Sequence, residues 1–323
     1  MSAATVLTSA MSGMPALSGT GGSLAALIRH IAPILGWSIE FDNSTDIIVI
    51  KPQSYGGGQA LFYRIDDRAA RGGLSPKTAE IRAYESMSDI NTGSGLIGPV
   101  YIHKSYYANT AAQKYYLIGD QYGFYLVTNP LDPSSYQNAA WTPHYFGFLN
   151  KALTSDIPVC VLFGSPDEQN YNYILLASIP SSSGFSTMKL HKNRAGTLNV
   201  STAQVSGSGI TPEGYALGTR HYKTGTNTAV LIGLPPYPYL GTALYSRPFV
   251  KDGLPGTISG YLPGLYNPHH NTDVGPNMSS APATFSPVAI DGKQFVMGFH
   301  VCYGGYAYNN SYALYDISEG FRP

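Results

Sequence analysis

From Leu61 to Val127 the chain alternates short runs rich in Tyr, Ile, Val and Phe with clusters of Gly, Asn, Asp and Ser, reading LFYRIDD, EIRAYESMSDINTGSG, YIHKSYY and KYYLIGDQYGFYLV in order. β-branched and aromatic residues suit a pleated surface, and the small polar clusters suit chain reversal, so the stretch predicts a twisted antiparallel meander. Its clearest hairpin lies between Lys114 and Thr128, where Tyr115-Tyr116-Leu117-Ile118 and Phe124-Tyr125-Leu126-Val127 flank a loop from Gly119 to Gly123. That loop is short and has glycines to supply positive φ.

Upstream, Ser23 reads as an N-cap, and Leu24, Leu27, Ile28, Ile31 and Leu35 recur at helical spacing to make one apolar stripe. Pro33 falls where it can kink the last turn, and Gly36 can close the helix. Trp37, Ile39 and Phe41 then alternate with polar residues, Asp42 to Asp46 forms a turn, and Ile47-Ile48-Val49-Ile50 is a continuously apolar strand. A helix covering one face of an antiparallel sheet would use these residues. Residues 1–20 are small and polar, with Gly13, Pro15 and Gly19, and carry too little apolar surface to fold alone. They read as an extended N-terminal arm, either laid on a neighbouring subunit or frayed.

The expected fold class is mainly β: antiparallel meanders or sandwich-like sheets with one N-terminal helix. Residues 21–130 form a helix-plus-sheet domain, and a Pro-, Asn- and aromatic-rich stretch places a soft boundary before a second β-rich domain over 131–323. Within it, Ile157 to Phe163 pairs naturally with Tyr171 to Ala177 as a hairpin, while residues 180–214 are the least patterned and read as an exposed excursion. Pro235-Pro236-Tyr237-Pro238-Tyr239 reads as a rigid connector or a docking strip. Asp291-Gly292, between Val288-Ala289-Ile290 and Gln294 to Phe299, is the strongest hairpin signal of the C-terminal half.

Motifs for chemistry are sparse. His269-His270 would point to opposite faces of a strand, with no third metal ligand marked, and reads as a polar loop. Asp66-Asp67 and Asp167-Glu168 are sequence neighbours, which is not the geometry of two carboxyls held across a glycosidic bond, and Asp66-Asp67 reads as a turn at a strand end. Ser165 lacks the nucleophile-elbow glycines, and the Gly-rich stretches lack the Lys-Ser/Thr of a phosphate loop. Cys160 and Cys302 sit in apolar runs and read as buried thiols. Lys104 beside Tyr106-Tyr107, or Arg220 beside His221 and Tyr222, supplies too few cations for appreciable phosphate affinity, so a nucleic-acid partner is not expected. The chain is read as no enzyme, with no cofactor and no metal.

Charge then bears on assembly. Lys+Arg and Asp+Glu are both 19, so the formal charge is zero, and charged residues are only 12% of the chain. Little holds such a protein apart from its copies. The 26 tyrosines suit interfaces as well as strands, because the ring buries area while the hydroxyl still finds a partner. No stretch approaches a membrane span, and the N-terminus has no basic segment before an apolar run, so synthesis and assembly in a cytoplasm are expected.

Six sets of residues carry a resemblance. Ser18-Gly19-Thr20-x-Gly22-Ser23-Leu24, Tyr63-Arg64-Ile65-Asp66-Asp67, Tyr84-Glu85-Ser86-Met87-Ser88-Asp89 with Thr92-Gly93, His103-Lys104-Ser105, and Leu117-Ile118-Gly119-Asp120 with Phe124-Tyr125-Leu126 resemble a group of structural proteins of tailed bacteriophages. The closing Tyr315-Asp316-Ile317-Ser318-x-Gly320-Phe321-Arg322 is similar to that group's end, while residues 132–215 match nothing in it. The resemblance implies a noncatalytic virion component of the tail, baseplate or neck, present in several copies and contacting other virion proteins, assembled in the host bacterial cytoplasm. The alternatives are a receptor- or carbohydrate-binding module of a fibre or tail tip and a capsid decoration protein. The binding module calls for exposed aromatics beside Asn or Asp in a concavity facing a host-surface glycan, with Tyr136, Trp141, Tyr145 and Tyr171 as candidates.

Overall fold

The computed structural model describes residues 3–69, 75–128, 142–151 and 158–164, and then segments 189–194, 197–204, 223–224, 227–228, 245–246, 249–251, 258–268, 287–290, 292–302, 309–318 and 320–321. It is mainly β, with antiparallel sheets and, among the described residues, a single helix. The strands used below are β1 (Thr5–Thr8), β2 (Ser38–Asp42), β3 (Ile47–Lys51), β4 (Phe62–Asp66), β5 (Thr78–Tyr84), β6 (Ser86–Met87), β7 (Gly93–Ser94) and β8 (Ile97–His103). They continue with β9 (Tyr115–Gly119), β10 (Gly123–Thr128), β11 (Thr142–Phe148), β12 (Cys160–Gly164), β13 (Lys189–Arg194) and β14 (Thr197–Gln204).

A seven-stranded sheet, ordered β1-β9-β10-β11-β12-β13-β14, lies at the centre. Alternation along its strands feeds two separate cores. Tyr115, Leu117, Phe124, Leu126, Phe146, Phe148, Cys160 and Leu162 point into the first, and Ile118, Tyr125, Val127, Tyr145, Val161 and Phe163 into the second. Every residue of β10 and β12 is therefore buried, which is why they read as unbroken apolar runs. This sheet runs across residue 130, with β10 pairing β11 in register from Gly123↔Gly147 to Thr128↔Thr142. The boundary expected there does not separate two cores.

The first core is closed by a five-stranded sheet, β2-β3-β4-β5-β8, and by helix α1 (Ser23–Leu35). The apolar stripe of α1 is buried as its spacing requires, in one core with Ile48, Ile50, Tyr63, Ile65 and Ile81. Gly36, at φ 80°, ends the helix by donating its N–H to Pro33 O while Trp37 N–H reaches Ala32 O. Trp37 then stands edge-on to Phe124, 4.9 Å between ring centroids, and donates Nε1–H to Asp120 O. Tyr63 bridges the two sheets: its hydroxyl donates to Val161 O at 2.7 Å and accepts from Gly147 N–H at 2.9 Å. The second core is closed by Leu262, Leu265, Val296, Tyr315 and Phe321, three of which, Leu265, Val296 and Tyr315, lie on strands Leu265–Pro268, Lys293–Cys302 and Asn309–Asp316 of the C-terminal sheet.

Several expectations change. The meander is divided, β4, β5 and β8 going to one sheet and β9 and β10 to the other. β12 has β11 on one side and β13 on the other, so Tyr171 to Ala177, outside the described residues, is not its ladder partner. Two strands, β13 and β14, occupy part of the stretch read as an excursion. Residues 3–20 lie on their own chain: β1 pairs β9, Tyr115 Oη donates to Pro15 O at 2.9 Å, and Leu17 is fully buried. Asp291 lies outside the described residues, but the strands flanking it pair as the reversal requires, with Ile290 opposite Lys293.

Candidate functional site

The segments that carry the resemblance are scattered in sequence and meet in space. At the first meeting point, β4 ends and delivers Asp67 beneath the N-terminus of α1. Gly22, not Ser23, precedes the helix in the capping position, with φ 82° and no side-chain cap of its own. Asp67 supplies the missing acceptor from afar: Oδ2 accepts Leu24 N–H at 2.7 Å and Ala25 N–H at 3.3 Å, and its main-chain carbonyl accepts Gly22 N–H at 2.8 Å. A carboxylate at the positive end of a helix satisfies orphan donors and the helix dipole together. Ser23 instead donates its hydroxyl to Ser18 O at 2.8 Å and Thr20 O at 3.0 Å, folding the preceding turn.

Lys104, delivered just past β8, completes the cluster. Its Nζ donates to Asp67 Oδ1, to Thr20 O at 2.6 Å and to Ser23 Oγ at 3.3 Å. An ammonium has three donors, and all three are used. Both charged side chains are fully buried. Burial pushes the Asp67 carboxyl above its ordinary value, against Lys104 and the two helix N–H groups, which pull it back. The pair clamps three elements together and has no face open to a substrate.

A second meeting point lies beside it. Arg64 donates Nε–H to Ile90 O at 2.8 Å, one guanidinium nitrogen to Asn91 Oδ1 and the other to Asp66 Oδ2, both at 3.1 Å. It thereby pins the β6–β7 hairpin, whose tip is turned by Asp89 Oδ1 accepting Asn91 and Thr92 N–H at 2.7 and 2.9 Å. Asp66 also accepts a bidentate pair from Arg68 at 2.9 and 2.7 Å. Burial raises the Asp66 carboxyl, but Arg68 and Arg64 outweigh it, and its pKa lies below the ordinary carboxylate value.

At the third, Asp120 accepts Tyr122 N–H at 2.8 Å within its own turn and Phe321 N–H at 2.5 Å from the closing segment. The Phe321 ring then packs edge-on to Tyr125, at 5.6 Å between centroids. Asp66-Asp67 is thus no simple turn: its two carboxylates serve two clamps. Nothing local in the sequence marks this, because the partners of the Asp67 carboxylate lie 37, 42 and 43 residues away.

Of the candidate binding aromatics, Tyr136, Trp141 and Tyr171 lie outside the described residues. Tyr145 is corrected: it is fully buried, its hydroxyl donates to Phe148 O, and its ring packs on Tyr125 at 4.6 Å. Alternation in β11 turns it into the second core. Exposed aromatics occur instead at Tyr106 and Tyr107, 39% and 46% exposed, with rings near perpendicular and 4.8 Å apart. Lys77, not the buried Lys104, lies near them, 5.8 Å from the Tyr106 ring centre.

Cys160 is buried beneath Tyr63, and burial pushes its thiol up to about 11. Among the described residues no group of three His, Cys, Asp or Glu side chains could hold a metal ion, and His269-His270 lies outside them. Among the same residues no helix is long and apolar enough to cross a membrane. Compared with protein-family models and with curated proteins, the chain matches none.

Proposed function

We propose that this protein is a noncatalytic structural component of a tailed-phage virion, in the tail, baseplate or neck, working in several copies. One observation carries the reading beyond the resemblance: the motif residues with chemistry to offer, Asp66, Asp67, Arg64, Lys104 and Asp120, are engaged in holding the chain to itself. Motifs of an enzyme aim reactive groups at a cleft, whereas these aim them at helix ends, hairpins and chain termini. The near absence of net charge supports packing among copies and neighbours. The test is mass spectrometry of purified virions separated into heads, necks and tails. Several copies per particle in the neck or tail fraction are expected, and a protein confined to the infected-cell lysate would sink the reading.

A second reading, a glycan- or receptor-binding module, is favoured by the exposed Tyr106-Tyr107 pair, since aromatic rings at the surface can stack on a sugar. Titrating host-surface polysaccharide against the protein and its Tyr107→Ala variant separates the two. Saturable binding that Y107A weakens tenfold or more would favour the module.

A further inference from the structure

Two sheet edges close to the N-terminus are built differently. β2, at the edge of the five-stranded sheet, carries Glu40 and Asp42 and is interrupted by a register shift between Ile39 and Phe41. Acidic side chains and a bulge guard an edge, because a second β2 laid against it would set carboxylates beside carboxylates. β1, at the edge of the seven-stranded sheet, has neither guard. Thr5-Val6-Leu7-Thr8 is uncharged, its register with β9 runs without a shift, and the first charged side chain in the sequence is Arg29.

The ladder phase shows which groups of β1 face out. Ser9 N–H donates to Tyr115 O at 3.1 Å, extending the register in which Thr8 faces Tyr116. Bonded and non-bonded pairs alternate in an antiparallel ladder, so Thr5 and Leu7 turn their main-chain groups toward β9 and Val6 turns its N–H and C=O away. Thr8 also faces away, but its carbonyl accepts Met11 N–H at 3.1 Å, which closes that end. Val6 is thus an outward donor and acceptor on a strand anchored by Leu7 in the first core and by Val6 itself in the second.

We propose that this edge pairs with a second copy of the chain, two β1 strands lying antiparallel about a two-fold axis at Val6. Each Val6 exchanges both main-chain bonds with the partner's Val6, joining the two central sheets into one. An isologous contact of this kind needs a strand that tolerates itself, and a neutral one meets no like charge across the axis. The proposal deepens the multi-copy reading above and rests on it.

The test is light scattering of the full-length protein and of Val6→Pro. Proline removes the outward N–H, suits an edge position, and leaves the bonds of Thr5, Leu7 and Ser9 to β9 in place. Wild type is expected at twice the chain mass and V6P at half that value, with unchanged far-UV circular dichroism. The Val6 amide should also be protected from hydrogen exchange in wild type and lose that protection on dilution, while Leu7 keeps its own; this reading stands even if V6P folds poorly. A wild-type dimer that V6P leaves intact would overturn the β1 contact and spare the multi-copy reading. Wild type monomeric up to its solubility limit, or a Val6 amide exchanging freely where Leu7 is protected, would overturn the contact too. A larger ring dissolved by V6P would replace the two-fold with a head-to-tail contact and so overturn the pairing as stated.

Discussion

Lys104 and Asp67 form an ion pair that water does not reach, and each depends on the other to be tolerated where it is. Removing one partner of such a pair leaves an uncompensated buried charge, which costs about 3–5 kcal/mol. Lys104→Met is therefore expected to lower the urea midpoint by that equivalent. Adding Asp67→Asn removes the stranded charge and keeps an acceptor for the helix, so the double variant should be more stable than K104M alone. A double variant that is the less stable of the two would show that the carboxylate matters to the helix more than to the lysine. Asp66 makes a separate, pH-dependent contribution. Its folded pKa is depressed, so its stabilisation is present above the unfolded value of about 3.9 and is lost as pH falls through the lower folded value. The urea midpoint should decline below about pH 4 in wild type, and more shallowly in Asp66→Asn.

At the scale of the element, α1 and the β6–β7 hairpin are held in opposite ways. The end of α1 is written locally: Gly36 sits at φ 80°, a conformation in which a side chain is strained. Gly36→Ala should cost about 1 kcal/mol, read as a fall in thermal midpoint. The hairpin has two-residue strands that are largely exposed, so it relies on Arg64. Arg64→Gln should speed amide exchange across residues 86–94 by roughly tenfold or more, about 1.4 kcal/mol of local stability, while amides of β9 and β10 keep their protection. Equal loss of protection in both places would mean that Arg64 supports the whole fold.

Across the whole molecule, one sheet serves two cores, and its fit to the five-stranded sheet is tight. A Cβ added at Gly164 would lie 2.8 Å from Val100 Cγ2, where β12 passes β8. Gly164→Val should therefore destabilise by about 1–3 kcal/mol through overpacking. Partial relief in Gly164→Val combined with Val100→Ala, read by thermal unfolding, would tie the cost to that contact. Because β10 and β11 pair across residue 130, unfolding followed at Trp37 and unfolding followed by exchange at β12 should coincide.

What the residues determined by themselves is local. The period of α1, its glycine stop, the continuous run Ile47 to Ile50 and the reversal between Ile290 and Lys293 depend on chain neighbours, and each stands as read. Pairing was decided only in three dimensions. A strand's composition reports that it is buried and not by whom, so Cys160 to Gly164 was legible as a strand while its neighbour β13 was not. The aromatic at Tyr145 had the same ambiguity, since a ring suited to an interface is equally suited to a core. The clamps were the least legible feature: Asp67 reads as a turn residue until folding brings the helix N-terminus and Lys104 to its two oxygens. Electrostatic partners chosen by proximity in space leave no periodicity in sequence, and only the packing of α1 over the sheet brings them within bonding distance.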